Sequence, residues 1–384
     1  MQPVVTGTAS VSPPISPVET SKSSPLLFLK SKRRFLIKGK AKNFRSFDRR
    51  LGETTEFLVS PNSCYGENMK MKSLALNLAF ALLACLSMLA QDATTATTYT
   101  FQTVDYPGDI WTQLLGVNNN DVIAGYHGID QNSFTPRRGF TLVLPNHFTD
   151  EMFPNSTQTV VTAINDQKPP KTVGFYIAEC DDSTCIHGFE YARGHYTTVD
   201  FPGLSGRPFN QLLGQNNQRQ SVGYYSTNQF GNAPDHAYIY DECGNVACTA
   251  PGVFELLVIP DSKGGAQPTG INDAGNVCGF YIDSHQAMHG FLLISGTLEA
   301  LNFPEPSTTA TAAFGLNNVG QVVGMYKNST GSHGFVYTVS SKTWQTINDP
   351  DGLQSTVVNG INDKGVLVGF YGVFPHSSGF VATP

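Results

Sequence analysis

Apolar residues beyond about position 99 fall in short runs, each cut off by Gly, Pro, Asn or Asp before a helical stripe can develop. VCGFY from Val277, VVGMY from Val322 and LVGFY from Leu367 have strand length, and each follows an Asx-x-Gly turn. Runs of this kind, rich in Val, Phe and Tyr and bounded by turn residues, predict strands joined by tight hairpins.

The runs belong to a repeat. GVNNNDVIAGYH begins at Gly116, AINDQKPPKTVGFY at Ala163 and GQNNQRQSVGYY at Gly214. GINDAGNVCGFY follows at Gly270, GLNNVGQVVGMY at Gly315 and GINDKGVLVGFY at Gly360. Aligned on the Asn (Asn118, Asn165, Asn216, Asn272, Asn317, Asn362), the copies lie 47, 51, 56, 45 and 45 residues apart. Each copy leads to an H-G-F run with an apolar tail (HGFEY, HGFLL, HGFVY), then to a strand ending in a proline turn (TVDFPG, ALNFPE). Four short strands every 40–50 residues are the mark of a propeller blade. The expectation is an all-β, six-bladed β-propeller over residues 99–384. The lone strand YTFQTVDYPG at the start would complete the last blade, since the chain ends at HSSGFVATP with no proline strand after it. An open β-solenoid is the alternative, but it normally uses shorter periods. The Gly inside V-x-G-F/Y (Gly174, Gly223, Gly279, Gly324, Gly369) is expected to make room for an aromatic ring from the neighbouring unit.

The combination G-I-N-[DN]-x-G-x-V-V-G-x-Y, then H-G-F, then L-D-F-P-G resembles the bacterial extracellular HAF repeat, over almost all of residues 99–384. That resemblance implies an exported, repetitive bacterial protein and assigns no biochemical role.

Two repeated polar residues are candidates for chemistry. The six Asn either tie their own hairpin turns through nearby backbone or form a ring of amides around a channel; the turn reading explains the repetition without a ligand. His187, His236, His289 and His333 precede Gly-Phe or its equivalent, with Arg138 and Ser378 in the corresponding places of the other two units. Six-fold spacing around an axis keeps such His too far apart for one ion, so bonds to a neighbouring strand are expected, with no metal and no cofactor. There is no G-x-S-x-G, no H-E-x-x-H, no phosphate-binding Gly loop and no EF-hand loop. Cys180 with Cys185 and Cys243 with Cys248 form two Cys-x4-Cys loops, expected to close as local disulfides in an oxidising compartment. Cys278 replaces a Val of other copies and is expected as a buried free thiol.

Charge divides the chain. Residues 1–72 hold 13 of the 24 Lys and Arg against 5 of the 30 Asp and Glu, leaving 11 against 25 in the remainder. So acidic a body has no basic patch to grip nucleic acid. Residues 1–68 carry no repeat and are expected as a disordered leader, with the true start at Met69 or Met71. Residues 69–90 read as a signal peptide, with Lys70 and Lys72 before an apolar stretch and cleavage after Ala90; 91–98 are linker. A signal anchor, or a lipid anchor at Cys85, are the competing readings of that segment; cleavage would leave no stable membrane span. The functional expectation is a secreted or envelope-associated monomer acting as a binding or interaction scaffold for a polysaccharide or an envelope protein. The rivals are an extracellular hydrolase or lyase with its site in the funnel, and a purely structural surface protein. A cluster that breaks the six-fold repeat would separate them.

Overall fold

The computed structural model describes residues 96–129, 136–180, 183–204, 208–227, 234–243, 252–353, 355–372 and 375–384. The expected leader (1–68), the signal segment (69–90) with Cys85, most of the linker and Cys248 lie outside these residues. Twenty-four strands and no α-helix are found among the described residues. None of their segments is a helix long and apolar enough to cross a membrane.

Strand pairing sorts the 24 strands into six antiparallel groups of four. The first strands are Trp111–Val117, Gln158–Ile164, Phe209–Gln215, Ala266–Ile271, Ala310–Leu316 and Val357–Ile361, each ending just before a repeat Asn. A hairpin carries each into a second strand (Val122–Gly128 in unit 1), which pairs with the third strand of the H-G-F run (Arg138–Val143). The proline strand is outermost (His147–Glu151). In unit 6 the outer place is filled from the other end of the chain: Thr100–Val104 pairs antiparallel with Ser378–Thr383, Thr100 opposite Thr383 and Val104 opposite Gly379. Continuous ladders make four sheets of four, eight, eight and four strands, and no ladder links all six units.

Adjacent units meet in the same way each time. The start of a third strand touches the start of the next unit's first strand through one parallel bridge: Ile186 with Phe209, Asp235 with Gly265, Met288 with Ala310, Ser332 with Ser355, Ser377 with Trp111. Between units 1 and 2 the Thr159 amide donates to the Arg137 carbonyl. Each boundary also has its own apolar cluster, such as Ala124, Val161 and Phe189 between units 1 and 2, or Val104, Leu114, Phe140 and Val381 between units 6 and 1. At the centre of these clusters stands the aromatic of the third strand: Phe140, Phe189, Tyr238, Phe291, Phe335 and Phe380 are all fully buried. Burying such a ring is worth roughly 2–3 kcal/mol, so the repeat supplies one large apolar plug per boundary.

The glycine expectation needs correcting. A Cβ on Gly324 would collide with the Ala312 carbonyl oxygen of its own hairpin, and the ring nearby is Phe335, from the third strand of the same unit. Gly174 is crowded likewise by Val160 and Phe189. A bulge in each first strand, as between Ala313 and Gly315, pushes the backbone over the second strand. The crowding is therefore within a unit, not between units.

Cys180 and Cys185 are joined in a disulfide across the second and third strands of unit 2, Cα atoms 5.9 Å apart. Cys243 is also disulfide-bonded. Cys278 is a free, fully buried thiol, and burial pushes it up to about 12. Replacing Cys180 and Cys185 together by Ser should cost about 2 kcal/mol, the value for so short a loop, read as a lower urea midpoint at unchanged slope.

Candidate functional site: the two ends of the first strands

The six first strands run side by side, and their ends bring the repeated polar residues together. Each repeat Asn caps its own turn: Asn118 Oδ1 accepts from the amides of Asn120 and Val122, and Asn362 Oδ1 from those of Lys364 and Val366. The same side chain reaches the next unit. Nδ2 of Asn118 donates to the carbonyl of Asn165, Asn216 to Asn272, Asn272 to Asn317, Asn317 to Asn362, and Asn362 back to Asn118. Only Asn165 Nδ2, buried, finds no acceptor. Turn capping and a bond to the next unit thus coexist in five of the six Asn, and the chain of amides is open between Asn165 and Asn216.

The residue after each Asn forms a second circle that sequence reasoning missed. It alternates strictly: Asn119, Asp166, Asn217, Asp273, Asn318, Asp363. The backbone amide of each donates to Oδ1 of the next, all the way round. Every Asn Nδ2 donates to the Oδ2 atoms of both flanking Asp, at 2.9–3.2 Å. Alternation is what makes this work: an amide nitrogen has two hydrogens to give and a carboxylate oxygen has lone pairs to receive them. Eighteen residues, three from each unit, line a cavity of about 390 Å³ (open solvent included) around this circle.

None of the four repeat His lines that cavity. His187 Nδ1 is 2.6 Å from Asp200, His289 Nδ1 is 2.8 Å from Asn302, and His333 Nδ1 is 3.0 Å from Asn348. Each ring also stacks on the last Tyr of its second strand, His187 on Tyr176 for example. The His thus pins the Asx of the following proline turn, a partner 13 to 15 residues on. His236 has Val258 in place of that Asx; it stacks on Tyr225, and burial lowers its pKa. Among the described residues, no three His, Cys, Asp or Glu are grouped to hold a metal.

At the other end of the first strands, five residues before each Asn and so roughly 15 Å away at strand rise, the repeat is broken. Units 1, 3 and 4 carry Gln113, Gln211 and Gln267 there; units 2, 5 and 6 carry Val160, Ala312 and Val357. Gln113 Oε1 accepts from the Tyr126 hydroxyl at 2.5 Å, Gln211 Oε1 from Tyr224 at 3.0 Å, and Gln267 Nε2 donates to Asp235 at 2.7 Å. Burial pushes the Asp235 carboxyl up to about 6. In unit 1, Trp111 Nε1 donates to the Tyr126 hydroxyl at 3.4 Å, and the Arg137 guanidinium lies 5.0 Å and 5.7 Å from the Tyr126 and Trp111 ring centres.

No family model matches the chain, and no curated protein matches it. Among solved structures it is similar to a protein of unknown function from Dyadobacter fermentans, 9% identical, over 74% of this chain and 99% of that one, with a TM-score of 0.45. It is also similar to the Aleuria aurantia lectin in complex with Fucα1-6GlcNAc, 10% identical, over 71% and 96% of the two chains, TM-score 0.42. A second structure of that fungal lectin, described as a six-bladed β-propeller, is 10% identical over 68% and 87%, TM-score 0.39. At one residue in ten identical, with TM-scores below 0.5, these likenesses carry no ligand or activity over to this chain.

Proposed function

We propose that the chain is a six-bladed β-propeller of the HAF-repeat kind, exported from a bacterium, that serves as a binding scaffold. The observation that carries the reading is the circle of hydrogen bonds from Asn119 through Asp166, Asn217, Asp273 and Asn318 to Asp363 and back. Six units whose hydrogen bonds return to the first unit are arranged around an axis, and an alternating Asn/Asp circle closes only with an even number of units. The outer strand borrowed from residues 100–104 supports closure from both ends of the chain. The disulfides fit an oxidising compartment.

The side chains of that circle satisfy one another, so a ligand is met at the opposite ends of the first strands, where the repeat breaks. The half-buried Trp111 at that end offers an aromatic edge suited to stacking under a saccharide of the envelope or its surroundings. The test is a thermal-shift screen of the full chain against envelope and plant polysaccharides and against metal ions. A ligand of the folded state raises Tm as its concentration passes Kd. A saturable rise with one glycan supports the scaffold; a rise with a metal ion alone, or with nothing, removes it.

A further inference from the structure

We propose that Asp349 and Asp351 hold one calcium ion in the turn that joins units 5 and 6; the inference goes beyond the scaffold reading and does not rest on it. The turn reads Asn348-Asp349-Pro350-Asp351-Gly352. Register against the other units shows what is singular about it. The residue before the turn proline is Tyr106, Phe153, Phe201, Ile259 or Phe303 in five units and Asp349 in this one. Hydrogen bonds confirm the equivalence. The amides of Tyr106, Phe153, Phe303 and Asp349 donate to the hydroxyls of Thr112, Thr159, Thr311 and Thr356, and that of Phe201 to Asn210 Oδ1. The four aromatic residues stack on a ring of the next unit, as Phe303 does on Tyr326 with ring centres 3.6 Å apart. Tyr371 is the corresponding ring of unit 6, and buried Gly352 packs against it: a Cβ there would lie 3.2 Å from the Tyr371 Cβ. Where the repeat buries an apolar side chain, this turn buries a carboxylate.

That carboxylate is buried without being satisfied. Asp349 is 5% exposed, its Oδ1 accepts the Asp351 amide at 2.9 Å, and its Oδ2 is buried with no hydrogen-bond partner. Burial pushes its carboxyl up, the Asp351 amide pulls it down, and the charge of exposed Asp351 pushes it up again. Among the described residues neither acid is paired with a Lys, Arg or His. Buried charges are retained when they are paired or coordinate a metal. A water satisfies Oδ2 but leaves two like charges side by side; a cation relieves both. Oxygen donors with no His or Cys among them select a hard ion. Calcium takes six to eight oxygens in a flexible geometry, so two carboxylates, main-chain oxygens of the turn and waters suffice, whereas magnesium demands a near-ideal octahedron. No third His, Cys, Asp or Glu joins the pair, which sets the affinity at the weak end, a Kd of about 10⁻⁴–10⁻³ M. The turn also bears on closure. Tyr371, against which Gly352 packs, bonds through its hydroxyl to Thr103 of the borrowed outer strand at 2.9 Å. An ion that fixes the turn braces the unit completed from both ends of the chain.

The experiment is titration calorimetry of the full chain, stripped of metal with a chelator, against calcium chloride and then magnesium chloride. The expected result is one saturable calcium event with a Kd of about 10⁻⁴–10⁻³ M, weaker binding of magnesium, and a Tm that rises as calcium passes Kd. Asp349→Asn and Asp351→Asn should each weaken calcium binding by roughly tenfold or more and lose the Tm rise. Asp351 is exposed, so Asp351→Asn still tests the ion should replacement of the buried Asp349 impair folding. No saturable heat with calcium overturns the site. Equal binding by either variant does so too, since it places the ion on other acids of a body that holds 25 Asp and Glu beyond residue 72. A Tm raised by Asp349→Asn, with no calcium response in the parent chain, also overturns it and leaves Asp349 a destabilising acid of the turn. A glycan response in the thermal-shift screen is untouched by any of these outcomes.

Discussion

Asn362→Ala should lower the unfolding free energy by about 3 kcal/mol, and Asn165→Ala by about 1 kcal/mol less, because only the former also removes a bond between units. Asn362 makes four hydrogen bonds: two from turn amides to its Oδ1, and two from its Nδ2 to the Asn118 carbonyl and the Asp121 carboxylate. Truncation leaves the Asn118 carbonyl without this donor at the boundary where the last unit meets the first. Asn165 keeps the turn bonds to the Gln167 and Lys171 amides, but its Nδ2 has no partner to lose. Urea unfolding of both variants separates the two functions of the Asn. Equal losses would mean that the inter-unit bond contributes nothing and that the six Asn are turn caps alone.

That comparison also shows how far the sequence could be read. Strands, hairpins and the borrowed outer strand follow from local patterns: apolar runs of strand length, Asx-Gly turns, and a chain that begins with the strand its end lacks. The Asn/Asp circle was equally present, in the alternation N, D, N, D, N, D after the repeat Asn, yet alternation has no meaning inside one copy. It acquires one only when units are placed in a circle, so reading copies one at a time hides it. The glycines erred for the opposite reason. The bulge that makes each first strand cross over its partner is a backbone feature with no side-chain signature, and the crowding it creates was assigned to the neighbouring unit. The His partners were legible in principle, since an Asp or Asn stands 13 to 15 residues beyond three of the four His, and Val258 stands where His236 lacks one.

The polar residues that break the repeat came out of register comparison, and Asp235 is the one whose cost is measurable. Its carboxyl is pushed from 3.8 up to about 6, chiefly by burial, with the Gln267 amide pulling the other way. The sign follows from proton linkage. Below pH 4 the group is protonated in both folded and unfolded chains and has no effect. As pH rises from about 4 to 6 the unfolded chain ionises first, so folding loses stability; above 6 the loss is complete, about 3 kcal/mol for a gap of this size. Asp235→Asn keeps an acceptor for Gln267 Nε2 and removes the buried charge. It should raise the unfolding free energy at pH 7.5 by about 2–3 kcal/mol, leave it nearly unchanged at pH 3.5, and flatten the slope between pH 4 and 6. Urea titrations at those three pH values read it directly. A destabilising Asp235→Asn at pH 7.5 would mean that the carboxylate is held by favourable contacts instead. The expected gain would mean that the chain keeps a destabilising, half-buried acid at this position in one unit of six, where stability alone favours a neutral side chain.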